Sequence, residues 1–417
     1  MSAELDAQQQ RDFALAIVEQ LRAAGYEALW AGGCVRDYLM GLAPKDYDVA
    51  TSARPEQVRQ IFGERRTIAV GEAFGVICVL GSKQAGQVEV ATFRVDKGYA
   101  DHRRPTAVEF TTAEADARRR DFTINGLFFD PIEGKVLDYV GGVADLEARV
   151  VRAIGDPRAR FEEDKLRLLR GVRFAAWFGF ELERATREAI VEFAPQIMLV
   201  SVERIAAEMK LMLVHSTRAV AVASLLELGL LPEILPEAGA MKNRPAAWSE
   251  TLRVLELLQR PSFAVALAAL LRAFTAPSEA AAICRRWKLS NADSRRVEWL
   301  IANQDALTDA RHAPWSRLQR VLVARGSEEL IQLAEAVRRA KGEGVDDLEY
   351  CRERRALPPD ELNPAPLITG DDLVTHGVAP GKLFQKLLEA TRDAQLDGRI
   401  TSRDEAIALV DRIRAEP

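Results

Sequence analysis

The amino-acid sequence predicts an α+β protein, with a mixed sheet and its helices near the N terminus and an all-helical remainder. Up to about Tyr139, short β-rich runs bounded by turn residues alternate with helical segments. From about Leu146 onward, apolar residues recur at spacings of three and four, as on one face of a helix. At 417 residues the chain exceeds the usual size of a single core, so two or more domains are expected.

The predicted elements follow from local patterns. Six segments are predicted as strands: EALWA, YDVAT, VICVLG, QVEVATF, AVEFT and TINGLFF. Two arginine-containing segments, EEDKLRLLRGVRFAAWFGF and SVERIAAEMKLMLV, have the apolar spacing of amphipathic helices. Four prolines in residues 357–370 predict a linker or extended crossing before a final helical unit.

Composition indicates a globular protein outside the membrane. Hydrophobic residues make up 48% and charged residues 29% of the chain. The apolar run at residues 263–271 is too short to cross a bilayer, so no membrane partner is expected. The N terminus predicts an amphipathic helix instead of a secretory signal, because it lacks a basic region followed by an apolar core. We therefore expect a cytoplasmic protein.

Cysteine usage and net charge narrow the function classes. The four cysteines, Cys34, Cys78, Cys284 and Cys351, are widely scattered, which excludes a CxxC zinc site and argues against a disulfide framework. The formal net charge of -5 argues against a general polyanion binder. Any RNA-binding surface is therefore expected to be a local basic patch.

The most informative segment, residues 32–51, reads GGCVRDYLMGLAPKDYDVAT. If KDYDVAT forms a strand, Asp46 and Asp48 lie two apart and project from one face. Paired carboxylates are hard oxygen ligands that suit Mg²⁺. The turn at Gly32 and Gly33 lets the backbone approach a phosphate closely. A divalent ion beside a phosphate cradle is what nucleotidyl transfer requires, whereas the alternative is a turn and a strand with solvated aspartates.

Arg36 and Glu89 are two further candidates. Arg36 is predicted to bind phosphate, because a bidentate guanidinium fits a triphosphate, and its alternative is an ion pair with Asp37 or Asp46. Glu89 lies in VEVATFR, where strand alternation places it on one face with Ala91. It is predicted to complete a carboxylate triad as general base or metal ligand, against the alternative of a surface glutamate on an edge strand.

The segment RRRDFTING, residues 118–126, places basic residues directly before a β-prone run. Arg119 and Arg120 are predicted to hold phosphate, and Asp121 to accept a hydrogen bond from a ribose hydroxyl. The alternative is a solvated arginine run. The adjoining aspartate and strand favour the functional interpretation.

The segment EEDKLRLLRGVR, residues 162–173, predicts one helix. Four charged residues recur along it every three positions: Asp164, Arg167, Arg170 and Arg173. The plain interpretation is an amphipathic helix with salt bridges. An aspartate beside an arginine also offers an acceptor and donors at a fixed separation, which can recognise an exocyclic amine and an adjacent ring acceptor. Cytosine and adenine present that edge, whereas uracil and guanine present the reverse pattern and are rejected.

With these motifs in order, the sequence resembles the class II tRNA nucleotidyltransferases and bacterial poly(A) polymerases, a branch of the polymerase-β-like nucleotidyltransferase superfamily. The resemblance covers GG-x-VRD, KDYD, RRDFTIN, DYVGGVADL, EEDKLR, SVERIAAE and PLITGDDLVTHGVAPGKLF, and so nearly the whole chain. It implies a nucleotidyltransferase head (residues 1–139), followed by an all-α neck for base recognition (140–215), a helical body (216–350) and an RNA-binding tail (351–417).

The resemblance also implies residue roles. Asp46 and Asp48 match the metal-binding carboxylates, Gly33 and Arg36 the nucleotide-contacting loop, and Arg120 with Asp121 the triphosphate and ribose motif. Asp164 and Arg167 match the pair that acts as an amino-acid template for CTP and ATP, and Arg170 and Arg173 extend that face. The implied reaction is attack of an RNA 3′-hydroxyl on the α-phosphate of a nucleoside triphosphate, with two metal ions, release of pyrophosphate and no nucleic-acid template.

Two other family-like segments carry structural expectations. DYVGGVADL, residues 138–146, matches the link between head and neck, and its glycine pair suits a hinge. The alternative is a simple turn capped by Asp145. SVERIAAEMK, residues 201–210, fits a helix in which Arg204 and Glu208 pair one turn apart, and we expect a scaffold role for it.

Three activities share these motifs: CCA addition to tRNA, partial addition of CC or A, and poly(A) synthesis. Residues 93–110 resemble a flexible loop that CC-adding relatives lack, and residues 69–79 resemble the nucleotidyltransferase form of that region, which favours CCA addition from CTP and ATP. An A-adding enzyme or a poly(A) polymerase is the alternative. Two hypotheses lie outside this class: an RNA-binding scaffold without catalysis, and a nucleotidyltransferase acting on a small molecule.

Overall fold

The computed structural model describes residues 6–71, 75–99, 105–379 and 381–415. The chain forms two compact units, Met1–Met212 with Val220–Pro236, and Leu213–Ala219 with Glu237–Pro417. A mixed sheet with helices occupies the N-terminal part of the first unit, and the second unit is helical, so the predicted α+β class is confirmed. The division into head, neck, body and tail stays a prediction.

Helices and strands alternate in the N-terminal part of the chain. Up to residue 236 the helices are α1 (Ala7–Ala23), α2 (Gly33–Leu39), α3 (Pro55–Phe62), α4 (Ala113–Arg118), α5 (Gly142–Ala148), α6 (Pro157–Glu163), α7 (Leu166–Phe178), α8 (Arg184–Phe193), α9 (Val202–Val214), α10 (Arg218–Glu227) and α11 (Leu230–Ile234). The strands are β1 (Ala28–Ala31), β2 (Asp48–Thr51), β3 (Thr67–Gly71), β4 (Val76–Leu80), β5 (Gln87–Thr92), β6 (Arg94–Tyr99), β7 (Pro105–Phe110), β8 (Phe128–Asp130), β9 (Lys135–Leu137), β10 (Val150–Val151) and β11 (Glu181–Leu182).

Seven strands form one sheet in the order β3-β4-β5-β2-β1-β8-β9. Strands β2 and β5 run parallel, with Asp48 directly opposite Glu89, and the other neighbouring pairs are antiparallel. Two smaller sheets lie outside it, the antiparallel pair β6-β7 and the parallel pair β10-β11. The sheet thus places two acidic residues, Asp48 of β2 and Glu89 of β5, next to each other.

Both faces of the central sheet are covered. On one face, Trp30 and Val49 pack with apolar residues of α1 and α3. On the other face, Leu29, Ala50 and Phe128 pack with the alanines of α4. Every residue of β1 is therefore buried, which matches the continuous apolar run ALWA instead of an alternating pattern.

Two of the predicted strands are wrong in detail. Strand β2 begins at Asp48, where its ladder with β5 begins, so Asp46 lies in a bend before the strand. Thr123–Asn125, predicted as strand, forms a 3-10 helix. Its side chains explain this, because Thr123 donates to Asp145 and Asn125 donates to Asp121, and such local bonds compete with strand pairing.

Other strands were missed. Strands β3 and β9 were not predicted. Residues 93–110, expected to form a loop, contain the antiparallel strands β6 and β7, of which β7 overlaps the predicted strand AVEFT. Residues 100–104 of this segment lie outside the described residues. Residues 72–74, which belong to the segment 69–79 that favoured CCA addition, also lie outside them.

The glycine pair of DYVGGVADL forms a tight turn into α5. Asp138 accepts hydrogen bonds from the backbone N–H groups of residues 140–143, so this turn is capped by Asp138 and not by Asp145. Gly141 has φ +80°, and a Cβ at Gly142 would lie 2.2 Å from the carbonyl oxygen of Thr123. Glycine is required at both positions, and the hinge expected here stays a prediction.

The second unit is built of helices. They are α12 (Pro245–Leu257), α13 (Phe263–Leu271), α14 (Pro277–Arg286), α15 (Asn291–Ala302), α16 (Trp315–Leu322), α17 (Ser327–Lys341), α18 (Asp346–Arg355), α19 (Pro359–Leu362), α20 (Gly370–Thr375), α21 (Lys382–Leu396) and α22 (Arg403–Ala415). Every residue of α13 is buried, and α12, α15 and α17 pack around it. The proline-rich linker contains the single turn α19, and α20, α21 and α22 share a small core. Within the described ranges, no helix combines the length and apolarity needed to cross a membrane.

Candidate active site

A cavity of about 530 Å³ in the first unit brings together most of the residues predicted from the sequence. Its lining consists of Gly32, Gly33, Arg36, Asp48, Arg119, Arg120, Asp121, Asn125, Asp164, Arg167, Arg170, Arg173, Phe174 and Trp177. Asp46 and Glu89 are the predicted site residues that do not line it, and Asn125, Phe174 and Trp177 were not predicted. A cavity of this size accommodates a small-molecule ligand.

The glycine turn forms one wall of the cavity. Gly32 has φ +73° and precedes α2, so the first N–H groups of that helix have no acceptors within it. A Cβ at Gly32 would lie 2.8 Å from Nη1 of Arg120. Glycine is therefore needed both for the backbone conformation and for the close approach of an arginine, and the wall is suited to an anion.

Arg36 follows on α2 and is nearly buried, with 8% of its surface exposed. Its Nε and Nη2 donate to Asp37 at 2.9 and 2.7 Å, and its Nη1 donates to Oδ1 of Asn125 at 2.5 Å. The ion pair with Asp37, which was the alternative to phosphate binding, is present in the structure. Asp37 neutralises part of the charge of Arg36. These bonds also hold the Arg36 side chain in a fixed position in the cavity wall.

Three carboxylates lie near the start of β2 and the part of β5 that faces it. Asp48 and Glu89 are directly opposite each other in the parallel ladder, and Asp46 precedes β2. Protein surrounds Asp48 on most sides although solvent reaches it, and this desolvation raises the pKa of Asp48 to about 6, together with repulsion from Glu89 and Asp46. Arg120 opposes the shift. The close carboxylates concentrate negative charge, which favours a bound cation.

The carboxylates fit a divalent cation only in part. All three are carboxylates, the hard oxygen donors that such ions prefer. Over the described part of the chain, however, no set of three or more histidine, cysteine, aspartate or glutamate side chains is placed to hold a metal ion. The expected triad therefore does not form as a three-ligand cluster, and Glu89 acts on Asp48 through its charge.

Arg119 and Arg120 are oriented by one buried carboxylate that the sequence analysis missed. Asp116 of α4 pairs with Arg119 at 2.7 Å and with Arg120 at 3.0 Å, and it is 1% exposed. Burial would raise its pKa, but the two arginines outweigh that effect and lower it. The spacing of three and four residues is the usual signal for such helix pairs.

Asp121 is bonded at every acceptor position. Its Oδ2 accepts from Nε and Nη2 of Arg170 at 2.7 and 2.6 Å, and its Oδ1 accepts from the N–H of Phe122 at 2.8 Å and from Asn125 at 3.1 Å. Although burial opposes ionisation, Arg170 lowers the pKa of Asp121 to about 2. A carboxylate has about four acceptor positions, so the ribose contact expected of Asp121 is not supported by these bonds.

The segment predicted as one helix, residues 162–173, is broken at Asp164. Helix α6 ends at Glu163, Asp164 is extended, and α7 begins at Leu166. The side chain of Asp164 accepts from the N–H of Leu166 at 3.0 Å, which competes with a continuous helix. Asp164 therefore does not share a helical face with Arg167, and the two are brought together by the turn instead.

Asp164 is oriented by Arg204 of α9. Nη1 of Arg204 lies 3.0 Å from Oδ1, and Nη2 lies 2.7 Å from Oδ2, which is a bidentate pair. A carboxylate has about four acceptor positions. Counting the bond from Leu166, donors from the described residues fill three of these positions on Asp164. One position on Oδ2 thus stays available for a ligand.

Arg167 is fixed by three acceptors. Its Nη1 donates to the carbonyl oxygen of Arg160 at 2.8 Å and to Glu163 at 2.6 Å, and its Nη2 donates to the carbonyl oxygen of Arg119 at 3.2 Å. These bonds join α6, the end of α4 and α7. Arg167 therefore holds a defined orientation at the cavity wall.

Helix α9 also orients Arg173. Glu208 accepts from Nε of Arg173 at 2.6 Å, and both residues are buried. The predicted pairing of Arg204 with Glu208 is wrong, because each pairs with a residue of the cavity wall instead. The motif drew attention to this helix, but its spacing showed only an intrahelical pair, and the partners are far away in sequence. Trp177, in contrast, continues the spacing of Arg170 and Arg173 along α7.

The sheet, the anion-binding turn, the carboxylates and the arginine-rich wall define a nucleotidyltransferase. Three family models match the chain: the poly(A) polymerase head domain at residues 28–152, the probable RNA and SrmB-binding site of polymerase A at residues 179–242, and the putative domain 2 of tRNA nucleotidyltransferase at residues 259–410.

The relatives found by sequence and by structure include nucleotidyltransferases of one kind, the CCA-adding enzymes. A CCA-adding enzyme from Streptococcus suis is 31% identical over 398 residues, covering 94% of each chain. One from Bacillus licheniformis is 33% identical over 401 residues, covering 94% of this chain and 96% of its own. The crystal structure of the Bacillus stearothermophilus CCA-adding enzyme in complex with CTP is 30% identical, with a TM-score of 0.78 and coverage of 97% and 98%. The chain belongs to the family of CCA-adding enzymes.

The desolvation of Asp48, together with repulsion from Glu89 and Asp46, predicts a gain in stability when its charge is removed. In metal-free buffer at pH 8, Asp48→Asn is expected to raise the melting temperature, because the folded pKa of about 6 lies above the unfolded value of about 3.9. Ionisation thus costs folded stability at high pH. The gain shrinks as the pH falls below about 6 and vanishes near pH 4.

Differential scanning fluorimetry from pH 4 to pH 8 measures this dependence. Glu19→Gln, which removes an exposed carboxylate of α1, is the control and is expected to show no such trend. An Asp48→Asn gain that is absent at pH 8, or that is equal at both ends of the range, contradicts the assignment.

If Asp164 recognises the base, as the sequence predicts, its pair with Arg204 affects base selection. Arg204→Lys keeps the charge but loses the bidentate geometry, so Asp164 is less well fixed. We expect preference for CTP over UTP to fall about tenfold, equivalent to about 1.4 kcal/mol. Single-nucleotide incorporation with each triphosphate measures it. Arg187→Lys, in an exposed pair with Glu227, is the matched control, and equal selectivity in the two variants would rule out the positioning role.

Proposed function

We propose that this enzyme adds CCA to the 3′ end of tRNA, using CTP and ATP without a nucleic-acid template and releasing pyrophosphate. One observation carries the proposal. A single cavity unites Asp48 and the glycine turn with Asp164 and Arg167. Groups suited to phosphate chemistry and groups suited to base recognition therefore face one ligand space. The family name and the match to a tRNA nucleotidyltransferase domain support tRNA as the acceptor.

The phosphate end of the nucleotide is assigned to the first turn of α2 and to three arginines: Arg36, Arg119 and Arg120. Free backbone N–H groups at a helix start bind anions, and a guanidinium can donate two parallel hydrogen bonds to a phosphate. Arg119 and Arg120 are held by Asp116, which is buried, so their positions are set before a ligand binds. Such preorganisation lowers the entropy cost of binding.

The base end is assigned to Asp164 and Arg167, with Arg170 and Arg173 extending the same wall. The one open acceptor position of Asp164 suits the exocyclic amine of cytosine or adenine, and Arg167 suits the adjacent ring nitrogen. Uracil and guanine would place an acceptor against the carboxylate. Because unpaired buried groups are costly, a site of this type rejects them strongly.

The carboxylates are assigned to the reacting end. Asp46 and Asp48 would hold Mg²⁺, which when bound neutralises charge on the phosphates and on the attacking oxygen. The 3′-hydroxyl oxygen of the RNA forms a bond to the α-phosphorus, and the bond from that phosphorus to the bridging oxygen breaks as pyrophosphate leaves. Glu89, opposite Asp48, is the proposed acceptor of the hydroxyl proton.

The proposal includes the division into head, neck, body and tail, with boundaries at residues 139, 215 and 350. In it, the helical body and tail bind the RNA. A cytoplasmic location belongs to it as well. The alternatives within the family are an A-adding enzyme and a poly(A) polymerase. Two of the matching family models are named after poly(A) polymerase, which is the observation that keeps the second alternative under test.

Incorporation on three tRNA transcripts tests the proposal. The transcripts end before CCA, after the first C and after CC, and purified protein receives Mg²⁺ with CTP and ATP, singly and together. We expect extension of all three, finishing at one terminal A. Asp48→Ala is the inactive control, and omission of Mg²⁺ tests the metal assignment.

Other products would change the conclusion. Addition of A only to the transcript ending in CC would establish an A-adding enzyme. Long A tails on any RNA would establish a poly(A) polymerase. Label from ATP in a low-molecular-weight product, with none in RNA, would overturn the assignment of tRNA as the acceptor.

A further inference from the structure

Phe174 of α7 is in contact with three of the arginines of the cavity. The Cζ atoms of Arg36, Arg170 and Arg173 lie 5.3, 5.2 and 4.3 Å from the centroid of its ring. The ring is 5% exposed and lines the cavity wall. Separations below about 6 Å are those of cation–π contacts, so one aromatic side chain supports three guanidinium groups.

The ring is itself fixed by two other aromatic residues. Phe122, which follows Asp121 in sequence, meets it edge to face, with centroids 5.9 Å apart and planes at 78°. Phe178, one turn later on α7, lies parallel to it at 6.1 Å. Arg36 also lies 4.6 Å from the centroid of Phe178. The ring of Phe174 therefore touches groups from α2, from the segment after α4, and from α7.

Each of the three arginines is held by a hydrogen-bonded carboxylate as well as by the ring. Arg36, Arg170 and Arg173 are bonded at their edges by Asp37, Asp121 and Glu208 respectively. Those bonds hold each guanidinium at one edge, and the ring contacts each guanidinium in addition. The negative face of the ring also offsets repulsion among three neighbouring cations.

We propose that Phe174 is a positioning residue that aligns Arg36, on the phosphate side of the cavity, with Arg170 and Arg173, on the base side. The inference rests on the proposed function, because it names the residue that couples the two halves of that nucleotide site. It does not place Phe174 against the substrate. An aliphatic side chain of similar volume fills the same space but lacks the charged face, so the aromatic character is the property under test.

Phe174→Leu tests the proposal by the affinity of the purified protein for CTP without RNA, measured by isothermal titration calorimetry. We expect the Kd for CTP to rise about tenfold, since several cation–π contacts are lost together. Phe174→Tyr keeps the ring face and is expected to stay within about twofold of wild type. In steady-state incorporation, the loss is expected in KM for both CTP and ATP, with kcat changed less.

Phe62→Leu is the matched control. Phe62, on α3 in the core of the sheet, is also 5% exposed, so its replacement removes a buried ring of equal burial away from the cavity. It is expected to lower the melting temperature without changing the Kd for CTP. If Phe174→Leu does not fold, as judged by circular dichroism, Phe174→Met replaces it with the same expectation.

A Kd for CTP that is unchanged in Phe174→Leu, or that is raised equally in Phe62→Leu or in Phe174→Tyr, overturns the inference. Failure of the proposed function is distinguishable from this result. In that case the wild-type protein binds CTP but incorporates no nucleotide into tRNA, and the Phe174 variants incorporate none either.

Discussion

The contact between Asp121 and Arg170 is the constraint on which the cavity depends. It joins the segment after α4 to α7, and all four acceptor positions of the carboxylate are filled. Asp121 is nearly buried, whereas 33% of the Arg170 side chain is exposed. Removing Arg170 would leave the carboxylate without its cation, which is destabilising. Arg170 also lies against Phe174, and Asn125 connects Asp121 to Arg36. The walls of the cavity are thus held by one connected set of charged contacts.

The local charge of the cavity explains how an acidic protein can handle polyanions. The formal net charge of the chain is -5, yet six arginines and three aspartates line the cavity. Carboxylates outside or at the edge of the lining orient several of these arginines, as Asp116 and Glu208 do. The arginines are therefore positioned without a ligand, and on the cavity wall itself they outnumber the aspartates, which suits phosphates. The basic patch expected for an RNA-binding surface stays a prediction, because these arginines line the cavity.

The sequence was sufficient for the fold class and for most of the cavity lining, because those residues lie in short motifs whose chemistry is local. It failed where geometry depends on partners far away in sequence. The break at Asp164 arises from a side-chain bond to Leu166 that competes with helix formation. The roles of Arg204 and Glu208 depend on α9 packing beside α7, which no spacing in the chain reveals. Asp46 is not part of the strand predicted for it, because pairing with β5 begins only at Asp48.

The central claim is that one cavity binds the phosphates at α2 and the base at the start of α7. A crystal structure of the protein with CTP tests it most directly. We expect the triphosphate at the first turn of α2 beside Arg120, and the cytosine amine within hydrogen-bond distance of Asp164, with Arg167 at the ring nitrogen. CTP bound with its base away from Asp164 and Arg167, or bound outside this cavity, would contradict the account.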